Sequence, residues 1–138
     1  MERQDYIDVL IDHYENPRNR GAVDNASVEM SGGNPSCGDV VTMYVTFDPH
    51  DERVTDIHFE GEGCTISQAG ASLMTEAMAG KTLSEIEGLS YEVVFELMGR
   101  DVVATRLRCA TLGLSTLKAA VKKYRGTLPK VIPGETWP

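Results

Sequence analysis

The spacing of apolar residues changes partway along the chain. Near the start, Tyr6, Val9, Leu10, His13 and Tyr14 recur at helical intervals, and Asn16-Pro17-Arg18-Asn19-Arg20-Gly21 stops that helix. Val40 to Phe47 reads Val-Val-Thr-Met-Tyr-Val-Thr-Phe, a β-branched and aromatic run that predicts a strand. Pro49-His50-Asp51-Glu52 is a turn, and Val54 to Glu60 alternates. That alternation predicts a second strand with Val54, Asp56 and His58 on one face and Thr55, Ile57 and Phe59 on the other, closing a hairpin. Residues 26–33 supply a third strand, interrupted by Gly32-Gly33.

From Ser67 the period becomes helical. Ala69, Leu73, Ala77 and Met78 form one face of a helix that ends at Gly80. Leu83 to Ile86 predicts a short helix, and Tyr91 to Met98 another with Val94, Phe95 and Met98 turned inward. A long last helix is expected from about Arg106 to Tyr124, with Leu107, Ala110, Leu114, Leu117 and Val121 as its buried stripe. Gly126, Pro129, Pro133, Gly134 and Pro138 mark an irregular tail. The expected class is α+β: a small antiparallel sheet of about three strands packed against several helices. Residues 1–125 form one domain and 126–138 the tail.

Composition narrows the partners. A chain of 138 residues suits one domain with a real core. It contains no run of about 18 apolar residues, so no membrane span is expected. A net charge of −8 argues against nucleic acid and anionic membrane surfaces. The charged start, Met1-Glu2-Arg3-Gln4-Asp5, does not read as a signal peptide. With three cysteines, an odd count, it points to reduced thiols in the cytoplasm.

Those three cysteines carry the chemistry. Cys37 lies in Gly33-Asn34-Pro35-Ser36-Cys37-Gly38-Asp39, Cys64 in Gly61-Glu62-Gly63-Cys64-Thr65-Ile66-Ser67, and Cys109 in Arg106-Leu107-Arg108-Cys109-Ala110-Thr111. Three thiolates and the Asp39 carboxylate make a four-ligand set for a thiophilic metal, spaced too widely for a zinc finger. The fold itself has to bring them together. In an extended segment Cys37 and Asp39 project to the same side, with Gly38 allowing another element to approach the backbone. Cys64 precedes a helix start, whose unpaired amides favour a thiolate, and Arg106 and Arg108 do the same for Cys109. A lone cysteine is more often a small buried hydrophobe; three in such contexts, one beside a carboxylate, favour shared metal chemistry. His13 fits an inward helix position, His50 an exposed turn and His58 a strand near the site, none with a ligand-like neighbour. Met30, Met43, Met74, Met78 and Met98 read as core filling.

Over residues 5–125 these motifs resemble the U-type iron–sulfur cluster assembly scaffolds, the family of IscU, SufU and the N-terminal part of NifU. Tyr14-Glu15-Asn16-Pro17-Arg18-Asn19 resembles its N-terminal signature. Asn34-Pro35-Ser36-Cys37-Gly38-Asp39 is similar to its first ligand motif. Gly63-Cys64-Thr65-Ile66-Ser67, running on through Ala71-Ser72-Leu73-Met74-Thr75-Glu76, is similar to the second, and Arg108-Cys109-Ala110-Thr111-Leu112 to the third.

The resemblance implies a SufE/NifU-like fold and a scaffold on which a [2Fe–2S] cluster is built from iron and sulfur, then handed to apo iron–sulfur proteins. Cys37, Cys64 and Cys109 would be thiolate ligands. Asp39 would be the oxygen ligand or the group that keeps the site labile, since a hard carboxylate retains a cluster less well than a fourth thiolate. Sulfur would come as persulfide from a cysteine desulfurase, zinc could occupy the same thiols, and a homodimer or higher oligomer around the cluster stays open. Two departures stand out. Arg108 replaces the histidine common in IscU-type members, and Gly99-Arg100-Asp101-Val102-Val103-Ala104 replaces their chaperone-binding Leu-Pro-Pro-Val-Lys segment. The step from Cys64 to Cys109 also lacks room for the usual SufU insertion. The alternative reading is a zinc-dependent SufU-like sulfurtransferase with Cys109 as persulfide acceptor. A purely structural zinc domain is the third.

Overall fold

The computed structural model describes residues 2–34 and 38–127. In chain order they form α1 (Arg3–Glu15), β1 (Val28–Asn34), β2 (Asp39–Phe47), β3 (Val54–Glu62), α2 (Thr65–Met78), α3 (Leu83–Gly88), α4 (Glu92–Met98), α5 (Arg100–Val103) and α6 (Leu107–Thr127). The sheet is antiparallel in the order β1-β2-β3. The architecture is the expected α+β arrangement, with the 26–33 strand present as β1. The tail from residue 128 lies outside the described residues.

One face of the sheet is apolar and one is polar, because successive side chains on a strand point to opposite sides. Val41, Met43, Val45 and Phe47 of β2 face inward with Ile57 and Phe59 of β3, and all are buried. α2 and α6 cover that face. The Phe47 and Tyr124 rings stack with centroids 4.7 Å apart, joining the far end of the sheet to the far end of α6. Thr42 and Glu60 pair on the opposite face.

The alternation expected along β3 does not hold at its start. Phe47 pairs with Val54 and Thr46 with Asp56, which leaves Thr55 as the extra residue of a β-bulge. Val54 therefore joins Ile57 and Phe59 on the buried side. The expected α2 stripe is also too narrow. Every residue from Ser67 to Thr75 is buried, since α2 is packed by the sheet and by α1 and α6 at once. Leu107 is 46% exposed rather than part of the α6 stripe. As the first residue of α6 it projects past the core, and the buried stripe begins at Cys109 and Ala110. The expected 91–98 helix is followed by a second short one, α5, after Gly99 breaks the chain with φ +85.

Both sheet edges are managed. The Phe59 N–H donates to the Asn19 carbonyl at 2.9 Å, and the Gly21 N–H to the Phe59 carbonyl at 2.8 Å, so residues 19–21 cover β3. On β1, Lys123 Nζ donates to the Glu29 carbonyl at 2.9 Å. Among the described residues, no helix is long and apolar enough to cross a membrane.

Candidate metal centre

Three elements converge at one end of the sheet. Asp39 is the first residue of β2, on its inward face. Cys64 is the N-cap of α2, which opens at Thr65 rather than near Ser67. Cys109 stands in the first turn of α6. α2 and α6 approach closely because Gly113 lies against Ala71, where an added Cβ would be 3.1 Å from the Ala71 Cα. One ligand atom from each of Asp39, Cys64 and Cys109 lies within 4.8 Å of the others.

Backbone geometry locks the carboxylate in place. Gly63 has φ +142, and a Cβ there would lie 2.1 Å from Asp39 Oδ1. With no side chain at 63, the next amide points at the carboxylate, and the Cys64 N–H donates to Asp39 Oδ1 at 2.8 Å. The Cys64 thiol donates to Oδ2 at 3.6 Å, and the Ser67 N–H donates to Cys64 Sγ at 3.4 Å. That last contact is the N-cap bond of a helix made with sulfur in place of oxygen.

Asp39 and Cys109 are 1% and 2% exposed, whereas Cys64 is partly open to solvent. Burial alone would raise the Asp39 carboxyl. Hydrogen bonds from the Cys109 thiol, the Cys64 amide, the Cys64 thiol and the Ser67 hydroxyl outweigh it and hold the carboxyl below its ordinary value. The result is a buried negative charge whose partners include two thiols. Thiols are groups that a thiophilic cation displaces protons from, so the donor set has the chemistry of a metal centre.

Of the four expected site residues, the fold brings three together, and Cys37 lies outside the described residues. Gly38 serves a different end from the one expected. Its φ is +70 and an added Cβ would meet nothing within 4 Å among the described residues, so there it makes a turn rather than a close approach. Cys109 lies near the start of the last helix as expected, but buried, with Arg106 and Arg108 exposed beside it. His58 is not at the site: it pairs across from Tyr44, and its Nδ1 sits 3.1 Å from Asp56 Oδ2. Sequence reasoning passed over Ser67 and Gln68, both buried on the first turns of α2. The signal available was a serine three residues after an N-cap cysteine, ahead of a glutamine in an otherwise small and apolar helix.

A second buried polar cluster stands further along α2. His13 Nδ1 and Ser72 Oγ are 2.8 Å apart, and His13 Nε2 lies 3.3 Å from Glu76 Oε1. The Arg18 N–H donates to the same Ser72 Oγ at 2.9 Å, and Asn19 Nδ2 to Thr75 Oγ1 at 3.1 Å. Arg18 also reaches Asp12 at 2.6 Å. The Asn16-Pro17-Arg18-Asn19 segment thus pins α1 to α2. Burial first, then the nearby Arg18 charge, hold His13 below its ordinary value against the pull of Glu76 and Asp12.

Fold and site together define an α+β domain with a thiol–carboxylate cluster at the junction of a sheet and two helix starts. The chain belongs to the family described as NifU-like N terminal domain, which matches residues 5–130. It is 33% identical to the iron–sulfur cluster assembly scaffold protein IscU of Aquifex aeolicus, over 87% of this chain and 76% of that protein. It is 37% identical to the zinc-dependent sulfurtransferase SufU of Bacillus subtilis, over 88% of this chain and 92% of that one. A crystal structure of a putative SufU-type scaffold from Fervidobacterium islandicum superposes with a TM-score of 0.68 at 30% identity, covering 82% of this chain and 93% of the other.

Proposed function

We propose that this chain is a scaffold for de novo assembly of a [2Fe–2S] cluster from iron and desulfurase-derived sulfur, and that it passes the cluster to apo-proteins. The convergence of Asp39, Cys64 and Cys109 ligand atoms within 4.8 Å carries this reading. Cys37, two residues before Asp39, supplies the third thiolate, and Asp39 the oxygen. The cluster is cargo, so the chain acts as a carrier rather than an enzyme. A storage or electron-transfer site would be better served by four thiolates. The partners are a cysteine desulfurase and recipient apo iron–sulfur proteins, in a cytoplasm where thiols stay reduced. Residues 1–125 act as the working domain, with 126–138 as a tail. Likeness to a named IscU scaffold supports the assignment.

The test is anaerobic reconstitution with iron and either sulfide or a desulfurase with cysteine. A [2Fe–2S] visible spectrum is expected, and it should be lost in Cys37→Ala, Cys64→Ala and Cys109→Ala. No such spectrum, or one indifferent to all three changes, overturns the proposal.

A second reading is favoured by the likeness to a zinc-dependent sulfurtransferase over nine-tenths of that protein's length. Zinc would be held by the same four residues. The Cys109 thiolate would attack the outer sulfur of the desulfurase persulfide, releasing the desulfurase thiolate and leaving a persulfide on Cys109. Arg106 and Arg108 beside it would stabilise the new anion. Because Cys109 is buried, this route requires its thiol to be uncovered. Tight zinc that iron does not displace, with strong desulfurase activation, selects this reading. Persulfide mapped to Cys64 alone refutes the choice of Cys109.

A further inference from the structure

Helix α1 is apolar on two sides. Leu10 and His13 turn inward and are buried, and Val9 packs against the core. Ile7, Ile11 and Tyr14 belong to another face. Ile11 is 44% and Tyr14 47% exposed, Ile7 is half-buried, and none of the three joins the core cluster among the described residues. Spaced i, i+4 and i+7, they make one ridge along the helix. Single exposed apolar side chains are ordinary, but a ridge of three is the pattern of a helix face that packs against something.

Carboxylates border this ridge. Asp8 and Glu15 stand three residues before and four after Ile11, so both lie next to it on the exposed side. Asp12 continues the row and is held by Arg18 at 2.6 Å. Asp8 accepts the neutral Gln4 amide at 2.8 Å, and neither Asp8 nor Glu15 is in an ion pair among the described residues. α1 carries one arginine, Arg3 at its start, against Asp5, Asp8, Asp12 and Glu15.

That charge selects the occupant. A second copy would bring −8 against −8, and antiparallel pairing about Ile11 would set Asp8 of one copy against Glu15 of the other. An anionic membrane is repelled in the same way. An aliphatic ridge bordered by lysine or arginine satisfies both the apolar row and the acidic one.

We propose that the outer face of α1 is a docking surface for a basic amphipathic helix of a partner protein, whose apolar side chains meet Ile7, Ile11 and Tyr14 and whose cations meet Asp8 and Glu15. The surface is remote from the metal centre. α1 is fixed to Ser72 and Glu76 of α2. These lie about 12 and 18 Å along the helix axis from Cys64, at 1.5 Å per residue. A partner held on α1 therefore leaves the ligand end of α2 open.

The probe is a fluorescent helical peptide with leucines at i, i+4, i+7 and i+11 and a row of lysines beside them; a twin peptide carries glutamates instead of the lysines. Titrated with the full chain and read by anisotropy, the lysine peptide should bind saturably and the glutamate peptide more weakly by roughly tenfold or more. Ile11→Ala/Tyr14→Ala should weaken the lysine peptide by roughly tenfold with an unchanged melting temperature. Asp8→Lys/Glu15→Lys should reverse the preference between the two peptides. Asp24→Lys/Glu29→Lys, the same charge change on exposed residues elsewhere, should leave that preference standing. Equal effects of the two lysine pairs, or binding indifferent to Ile11→Ala/Tyr14→Ala, would reveal general attraction to an acidic protein and overturn the proposal. So would a lysine peptide that does not bind. A dimer in sedimentation that Ile11→Asp dissociates would also overturn it, since the face would then belong to a second copy.

Discussion

Helix α2 carries two buried polar clusters with opposite designs. At its second half, His13, Ser72, Thr75, Arg18 and Asn19 satisfy one another along the seam between α1 and α2: Ser72 Oγ takes the Arg18 N–H and meets the His13 ring, whose other nitrogen faces Glu76. At its N-terminus, Asp39 leans on donors that include two thiols, groups a metal would convert into its own ligands. One cluster is closed and ties α1 to the core. The other is complete only while its thiols keep their protons. On the proposed function, buried polarity serves structure in the first case and exchange chemistry in the second.

The sharpest separation comes from removing ligands. Cys64→Ala or Cys109→Ala should weaken zinc affinity by at least roughly 100-fold, because a ligand is lost rather than a supporting contact. The metal-free protein should lose only about 1 kcal/mol in Cys64→Ala, the scale of one helix N-cap contact on a partly exposed side chain. Competition against a chelator and a thermal scan read the two effects independently. A large loss of stability with zinc binding intact would reverse the roles assigned to the two clusters.

The reciprocal change is His13→Ala. It leaves Ser72 short of a buried partner and empties space between α1 and α2, so a loss of about 2–3 kcal/mol is expected in denaturant unfolding. Zinc release should stay at the wild-type rate. Coupling of the two sites in that measurement would break the distinction.

A smaller effect should appear with pH. His13 is held below its ordinary value, so the unfolded chain binds its proton first as pH falls. Stability from this group is complete above the unfolded value and is lost as pH drops through about 6.5 and below. The charges facing it are Asp12 on its own helix, Arg18 in the following segment and Glu76 on α2. Denaturant midpoints at pH 7.5 and 5.5 should differ for wild type by more than for His13→Gln. Asp39 acts in another range: held below the ordinary carboxyl value, it contributes stability that is lost only on descent through about pH 4. The smallest effect is Leu107→Ser at the exposed start of α6, expected within about 0.5 kcal/mol of wild type.

Where local pattern determined structure, the sequence was a good guide. The β-branched run of β2 and the stripe from Ala110 to Val121 needed only period and composition to be read. The bulge at Thr55 was hidden because Thr-Asp-Ile-His-Phe alternates cleanly whichever residue is skipped by the partner strand. Burial around the whole of α2 was hidden because its polar faces, Ser67, Gln68, Ser72 and Thr75, look like a solvent side until their partners are known. The meeting of Asp39, Cys64 and Cys109 was legible as chemistry, since their residue types suit one metal. Their burial was not, because it depends on α2 and α6 closing over the end of the sheet.

The claim that the site is built to let go is tested most directly at Asp39. Wild-type and Asp39→Ala proteins, reconstituted side by side with iron and sulfide, are followed by the decay of their visible spectra in air and under chelator. If the carboxylate oxygen is the weak point, the variant holds its cluster longer and delivers it more slowly to an acceptor. A shorter half-life in Asp39→Ala would make Asp39 an ordinary ligand and contradict the account.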